Sequence, residues 1–317
     1  MNYDHVLFLG FGGPRKREEV RPFLQKVAQG RNIPETRLKE VEHHYEQIGG
    51  FSPYHEECVR FVNAFEANLN EQISMPIFLG MKNWHPFLSE TLNTIKGGGF
   101  RKGLVCILAP HRSEASFDRY LEGLKWVQAE DIQYEPMEPW FDHPLLIQAH
   151  AKAIHDAAKF CSPTFPPLQG NRDGVGARPF VLFTAHSIPE KMKDSELYQS
   201  EFQKTSALIA EQLACEWGMA YQSRSGSPKE PWLGPAVEEW IPKLVVKGVQ
   251  EILVVPIGFL CDNAEILYDL DIEFQDKLKV SGIHYRRSAT VMRSPEFLSM
   301  WKELILDRIR TPMKESI

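Results

Sequence analysis

Three segments of this 317-residue chain set residues able to do chemistry directly behind apolar runs. In Val181-Leu182-Phe183-Thr184-Ala185-His186-Ser187-Ile188-Pro189 the imidazole of His186 closes such a run. Partial burial at a strand end lowers the proton affinity of a histidine and favours the neutral ring, which can accept a proton or bind a metal. In the segment from Gly258 to Glu273 the acids Glu265, Asp269 and Glu273 recur at intervals of four. On a helix they form one acidic stripe, whose mutual repulsion calls for a positive partner. A structural reading stands beside it, with Asp262 as N-cap, Glu265 as the third-position acid of a capping box and the other acids on a solvated face. The third segment, Gln222-Ser223-Arg224-Ser225-Gly226-Ser227 followed by Pro231-Trp232-Leu233-Gly234-Pro235, is rich in turn residues. Its Trp232 either plugs a core gap or offers a flat face to a ligand, and on these residues alone it reads as packing.

The elements that must hold these residues follow from the hydrophobic pattern. Short apolar runs at Val6 to Gly10, Pro76 to Gly80, Leu104 to Ala109 and Ile132 to Pro136 read as strands. Helical patterns lie between them, as at Pro34 to Gln47, Glu56 to Gln72 and Ser116 to Val127. The rhythm recurs with strands near Phe180 to Thr184, Met219 to Gln222, Glu251 to Pro256 and His284 to Arg287. The helices of this half are expected near Glu196 to Trp217, Ala236 to Lys247, Asn263 to Val280 and Pro295 to Arg308. This is an α/β chain with two similar halves, each a four-stranded parallel sheet flanked by helices. Residues 161–179, rich in Pro and Gly, read as a loop near the join, so the expected domains are 1–160 and 161–317, the second carrying His186 and Glu265. Ligands of open α/β sheets bind beyond the carboxyl ends of strands, where all three segments begin. Gly10-Phe11-Gly12-Gly13-Pro14-Arg15 follows the first strand but fails the dinucleotide fingerprint, because Arg15 stands where the third glycine belongs. It reads as a tight turn, bare or approaching a flat ligand.

Composition narrows the classes. With 43% hydrophobic and 25% charged residues the chain is ordinary globular material. A net charge of −6 without a basic block argues against a nucleic-acid partner. The five cysteines are scattered and form no C-x-x-C pair, which argues against a disulfide framework or structural zinc. No apolar stretch is long enough to span a membrane and no export signal opens the chain, so a cytoplasmic protein is expected.

Taken together, LFTAHSIP (182–189), YQSRSGSPKEPWLGP (221–235) and VVPIGFLCDNAEILYDLDIE (254–273) resemble the ferrochelatases. So do FLGFGGP (8–14), YEQIGGFSP (45–53) and GMKNWHPF (80–87), in the family's order from about residue 5 to residue 310. The resemblance implies a chelatase-like fold with a porphyrin cleft between two domains, and insertion of ferrous iron with release of two protons, in haem biosynthesis. His186 matches the family's active-site histidine and Glu265 its partner, so both are expected to be catalytic and to touch the metal. Asp269 and Glu273 match acids proposed as a route for metal or protons. Trp232 matches a cleft-wall tryptophan, Phe11 stands on the opposite side, and Arg31, Ser52, Lys82 and Tyr120 match positions lining the cleft in Gram-positive relatives. Iron is then a substrate, with no prosthetic group and no iron–sulfur cluster, and the expected partners are porphyrin and iron, with peripheral membrane contact allowed and a monomer expected.

Departures from the pattern refine this. Phe11 replaces a Tyr or Met, Asn83 a His, and Asn263 a frequent His, while Lys193-Asp194-Ser195-Glu196 replaces the usual Gly-Asp-Pro-Tyr. Phe11 favours protoporphyrin IX, which is the expected substrate and would give protohaem; LAPHRS (108–113) and the short, cluster-free chain lean toward coproporphyrin III, the first alternative. Further alternatives are a porphyrin- or haem-binding protein without turnover, a chelatase for cobalt or nickel, and a nucleotide-binding α/β protein.

Overall fold

The computed structural model describes residues 3–30, 33–127, 132–159, 179–225 and 230–311. The loop expected at 161–179 therefore lies, up to residue 178, outside the described residues, as does Arg31.

Apolar runs such as Val6-Leu7-Phe8-Leu9 and Ile252-Leu253-Val254-Val255 are buried on both faces, which is what a helix-covered parallel sheet requires. One sheet holds β1 (His5–Gly10), β2 (Ile77–Met81), β3 (Lys102–Ile107) and β4 (Gln133–Pro136), all parallel, in the order β2-β1-β3-β4. Its connections carry α1 (Arg17–Ala28), α2 (Glu35–Gln47), α3 (Tyr54–Asn70), α4 (Leu88–Gly97) and α5 (Arg119–Val127). A π-helix, Glu114–Asp118, precedes α5. The second sheet holds β5 (Phe180–His186), β6 (Trp217–Gln222), β7 (Glu251–Val255) and β8 (His284–Arg287) in the order β6-β5-β7-β8, again all parallel. It is accompanied by α6 (Pro144–Lys159), α7 (Ser195–Leu213), α8 (Trp240–Val246), a π-helix over Glu265–Phe274 and α9 (Gln275–Val280); α10 (Pro295–Arg310) closes the described chain.

The chain divides into two compact units, one of Met1–Ala109, Glu114–Pro139 and Met292–Ile317, the other of Pro110–Ser113 and Trp140–Val291. The division differs from a single cut at 160/161 because packing, not chain order, decides it. In α10, Phe297 lies 5.3 Å from Phe61 and Trp301 5.2 Å from Phe8, both fully buried in the first unit's core. In α6, Ile147 and Ile154 join Phe183, Phe202 and Val255 in the second unit's core. Truncating a buried aromatic such as Trp301 to Ala costs about 3–5 kcal/mol, enough to anchor a helix to its unit.

Among the described residues no helix is long and apolar enough to cross a membrane.

Candidate active site

The second unit's site is set by how closely the segment after β7 returns to β5. Phe183 pairs with Val255, and the chain then turns so that the Gly258 amide donates to the Thr184 carbonyl at 3.0 Å. A Cβ on Gly258 would lie 2.6 Å from both Cα and Cβ of Ala185, so only glycine permits this approach. The segment then enters its helix through Asn263, whose Oδ1 accepts from the amides of Glu265 (2.9 Å) and Ile266 (3.1 Å). Asn263, rather than the expected Asp262, supplies the cap.

This places Glu265 opposite His186, with His186 Nε2 and Glu265 Oε1 3.4 Å apart. The other ring nitrogen, Nδ1, donates to the Ser187 carbonyl, so Nε2 is the nitrogen that faces the carboxylate. Tyr198 Oη donates to the His186 carbonyl at 2.9 Å and fixes the strand end from behind. Burial alone pushes the His186 imidazole toward neutrality, but the charge and hydrogen bond of Glu265, the Ser187 carbonyl and the charge of Asp269 outweigh it and raise its pKa to about 9. The expected shift of the ring toward neutrality is thus reversed.

The acidic stripe exists, but on a π-helix with i→i+5 hydrogen bonding rather than an α-helix. π-helical turns are rare and concentrate at functional sites. Asp269 accepts a hydrogen bond from Ser223 Oγ, at the end of β6, where Ser223 sits in the left-handed region with φ 62°. Burial, reinforced by Glu265 and Glu273 against the Ser223 bond and the His186 charge, raises the Asp269 carboxyl to about 7. Glu273 is tied to Lys277 at 3.1 Å. The stripe is thus offset by His186 at one end and by Lys277 at the other. Gln222 Nε2 donates to the Glu265 carbonyl at 3.1 Å.

The Trp232 segment is tied by backbone to the residues that follow His186. Leu233 donates to the Ile188 carbonyl (2.9 Å), Glu190 to the Pro231 carbonyl (3.0 Å), and Ser187 Oγ to the Leu233 carbonyl (2.8 Å). The indole is half-buried, and its Nε1 is buried with no hydrogen-bond acceptor among the described residues. Packing alone leaves that donor unexplained.

In the first unit the turn after β1 gathers its own set. Phe11 is 41% exposed, unusual for so large an apolar ring. Its backbone is fixed: the amide donates to Tyr54 Oη (2.9 Å), and the carbonyl accepts from Asn83 N (2.9 Å) and Nδ2 (3.2 Å). Gly12, at φ 92°, leaves room for the Trp84 amide only because it lacks Cβ. The Ser52 amide donates to the Pro14 carbonyl at 2.9 Å, and the Lys82 amide to the Gly10 carbonyl at 3.0 Å. Lys82 Nζ stands 5.4 Å from the centre of the Tyr120 ring. Phe11, Ser52 and Lys82 are therefore gathered around one turn, with Tyr120 reached through Lys82.

Ser223, Tyr198 and Arg287 were not singled out in the sequence. Ser223 carried a weak signal, a serine at a strand end inside a turn-rich stretch; the other two carried none. Among the described residues no group of three or more His, Cys, Asp or Glu side chains is placed to hold a metal ion, so His186 and Glu265 offer two donors.

Two parallel four-stranded sheets, with a histidine–carboxylate pair beyond one of them, give this chain an α/β fold shared with solved chelatases. Solved structures of that kind are similar in fold. SirB from Bacillus subtilis with Fe3+ superposes with a TM-score of 0.60 at 12% identity, over 96% of this chain and 94% of that one. CbiX, the terminal enzyme of sirohaem biosynthesis in denitrifying bacteria, gives 0.55 at 13% identity, over 96% and 98%. The ferrochelatase family model matches residues 3–309. A coproporphyrin III ferrochelatase of Mycolicibacterium vanbaalenii is 34% identical over 98% of this chain and 91% of its own length. A ferrochelatase of Rhodopirellula baltica is 32% identical over 97% and 86%. The chain belongs to the ferrochelatase family: it is a metal chelatase, a lyase, and membership implies that it binds porphyrin and iron.

Proposed function

We propose that the chain inserts ferrous iron into a propionate-bearing porphyrin, with His186 and Glu265 as its catalytic residues. The observation that carries this reading is the 3.4 Å pair with His186 Nδ1 held on the Ser187 carbonyl, which leaves Nε2 as the working atom. A free-base porphyrin must lose two pyrrole protons as iron enters. Once neutral, His186 Nε2 can accept one of them, with Glu265 stabilising the imidazolium that forms, and the second follows once that proton has passed to Asp269 or to solvent. Glu265 also lowers the cost of a dication in a poorly solvated site. An arriving dication competes with the His186 proton for Glu265, and Asp269, with its carboxyl near 7, can take up and pass on what is released. Two mixed N and O donors suit an ion that must leave again better than a closed set of four. Phe11 and Trp232 are the proposed apolar faces for the macrocycle; Arg31, Ser52, Lys82 and Tyr120 are proposed contacts for its periphery, and Glu273 continues the proposed proton or metal route.

Two observations bear on the porphyrin. Phe11, in place of a tyrosine, supports protoporphyrin IX. A relative named coproporphyrin III ferrochelatase, matched over 98% of the chain, supports coproporphyrin III. A match over nearly the whole chain weighs more than one side chain, and coproporphyrin III is the reading carried forward. The test is anaerobic Fe2+ insertion followed by the porphyrin absorbance change, with both porphyrins side by side. Faster turnover of coproporphyrin III is expected, and faster turnover of protoporphyrin IX reverses the choice. Tight binding of either without turnover replaces the enzyme by a porphyrin-binding protein.

A further inference from the structure

Five acids, Asp262, Glu265, Asp269, Asp271 and Glu273, crowd the short segment that follows β7. Two of them, Asp262 and Asp271, meet one arginine. Arg287, at the carboxyl end of β8, pairs in the sheet with Val254 and is 14% exposed. Its Nε and Nη2 donate to the two oxygens of Asp271 at 2.8 and 2.9 Å. Its Nη1 and Nη2 donate to the two oxygens of Asp262 at 3.0 and 3.1 Å, and Nη1 also reaches the Ser288 carbonyl at 3.2 Å. Tyr285 Oη donates to Asp271 at 2.7 Å and Thr290 Oγ1 to Asp262 at 3.3 Å. Asp262 lies just before the helix cap and Asp271 inside the π-helix, so the two clamped residues bracket Glu265 and Asp269.

We propose that Arg287 is a positioning residue for metal insertion: by clamping Asp262 and Asp271 to the end of β8 it sets where the Glu265 carboxylate stands relative to His186 Nε2. This rests on the reading of Glu265 and His186 given above. A planar guanidinium can fork to both oxygens of two carboxylates in one fixed geometry, whereas an ammonium, a point charge on a flexible stem, holds them less rigidly. Without Arg287, two half-buried carboxylates lose their counter-charge on a segment that already carries three more acids. Their repulsion moves the segment, and a displacement of about 1 Å at a reacting group costs on the order of 100-fold in rate.

The test uses the full chain with Arg287→Gln and Arg287→Lys. Iron insertion is expected to lose about 10- to 100-fold in kcat with Gln, as for other groups that orient metal ligands, and less with Lys. Porphyrin KM, and porphyrin Kd by tryptophan quenching, stay within about twofold. A second readout does not need turnover: Co2+ titrated without porphyrin, followed by its visible absorption, is expected to bind Arg287→Gln about tenfold more weakly than wild type. Unchanged kcat and Co2+ affinity overturn the proposal, and so does a porphyrin Kd that weakens in step with kcat, since that marks general loosening. If Arg287→Gln does not fold, Asp271→Asn, which keeps the Arg287–Asp262 pair, is measured instead; a smaller kcat loss at constant porphyrin Kd supports the proposal and none overturns it. A wild-type chain that binds Co2+ but inserts no iron refutes the proposed function, while the Co2+ comparison still decides the role of Arg287.

Discussion

The two units use the same sheet, with the first strand central, the second at one edge and the third leading to the fourth. In each, the third strand leads on to a π-helix that opens with a glutamate, Glu114 in the first unit and Glu265 in the second. What those glutamates meet is different. Glu114 is paired at 3.1 Å with Arg119, five residues along its own chain. Glu265 is met by a histidine from the end of the first strand of its sheet. The corresponding strand end in the first unit is Gly10, which offers no side chain, and a Cβ there would displace Tyr54 Oη at 2.8 Å and Met81 Sδ at 2.9 Å. One scaffold thus offers the same two positions twice, and of the two glutamates only Glu265 is met by a titratable ring, the pair proposed above to be catalytic.

The comparison breaks first at His186. Replacing it with Ala is expected to lower iron insertion by at least about 100-fold, the scale of a lost proton acceptor, while porphyrin still binds. Turnover near the wild-type value would remove the distinction between the units. Glu265→Gln sharpens it, because the imidazole, raised to about 9 by that carboxylate, should titrate lower by NMR. The sign follows from linkage: a histidine raised above 6.5 lends the fold stability that is complete below that pH and lost as pH climbs through about 9.

Asp269→Asn has a smaller, pH-dependent effect. The folded protein raises this carboxyl from 3.8 to about 7, so wild-type stability falls as pH rises between those values. The variant should melt a few degrees higher than wild type at pH 8 and together with it near pH 4. Equal shifts at both pH values would contradict a burial-raised carboxyl. The smallest effect is expected in the first unit. Glu114→Gln loses one partly exposed ion pair, worth about 0–1 kcal/mol, and should leave kcat within about threefold. A collapse of kcat there would mean that the first unit's glutamate takes part in the chemistry.

Much of this was legible in the chain. Runs such as Ile252 to Val255 announce buried parallel strands because nothing polar interrupts them, and His186 and Glu265 stand where open sheets bind ligands. The π-helix was not legible, because side chains at 265–274 carry the same apolar period whichever hydrogen bonds close the turn. The protonation of His186 was misjudged because burial is readable from neighbours in sequence, whereas the outweighing carboxylate arrives from a distant segment. Arg287 was invisible for the same reason: its partners lie 25 and 16 residues away, and nothing in a strand ending Arg286-Arg287 says which arginine turns inward. The cap at Asp262, offered only as the structural alternative, does not form because that carboxylate is committed to Arg287 and Asn263 takes the amides.

Gly258 carries a consequence for how this chain can evolve. The fold tolerates wholesale exchange of side chains, as its likeness to SirB at 12% identity attests. Yet the distance between β5 and the segment bearing Glu265 is fixed by a hydrogen atom, and a single methyl at 258 would press into Ala185 at 2.6 Å. Relief requires a shift of about 1 Å in the strand that ends in His186 or in the segment that carries its partner, enough to separate a reacting pair. A narrow mutational bottleneck in the second unit therefore lies at a residue with no side chain to contribute.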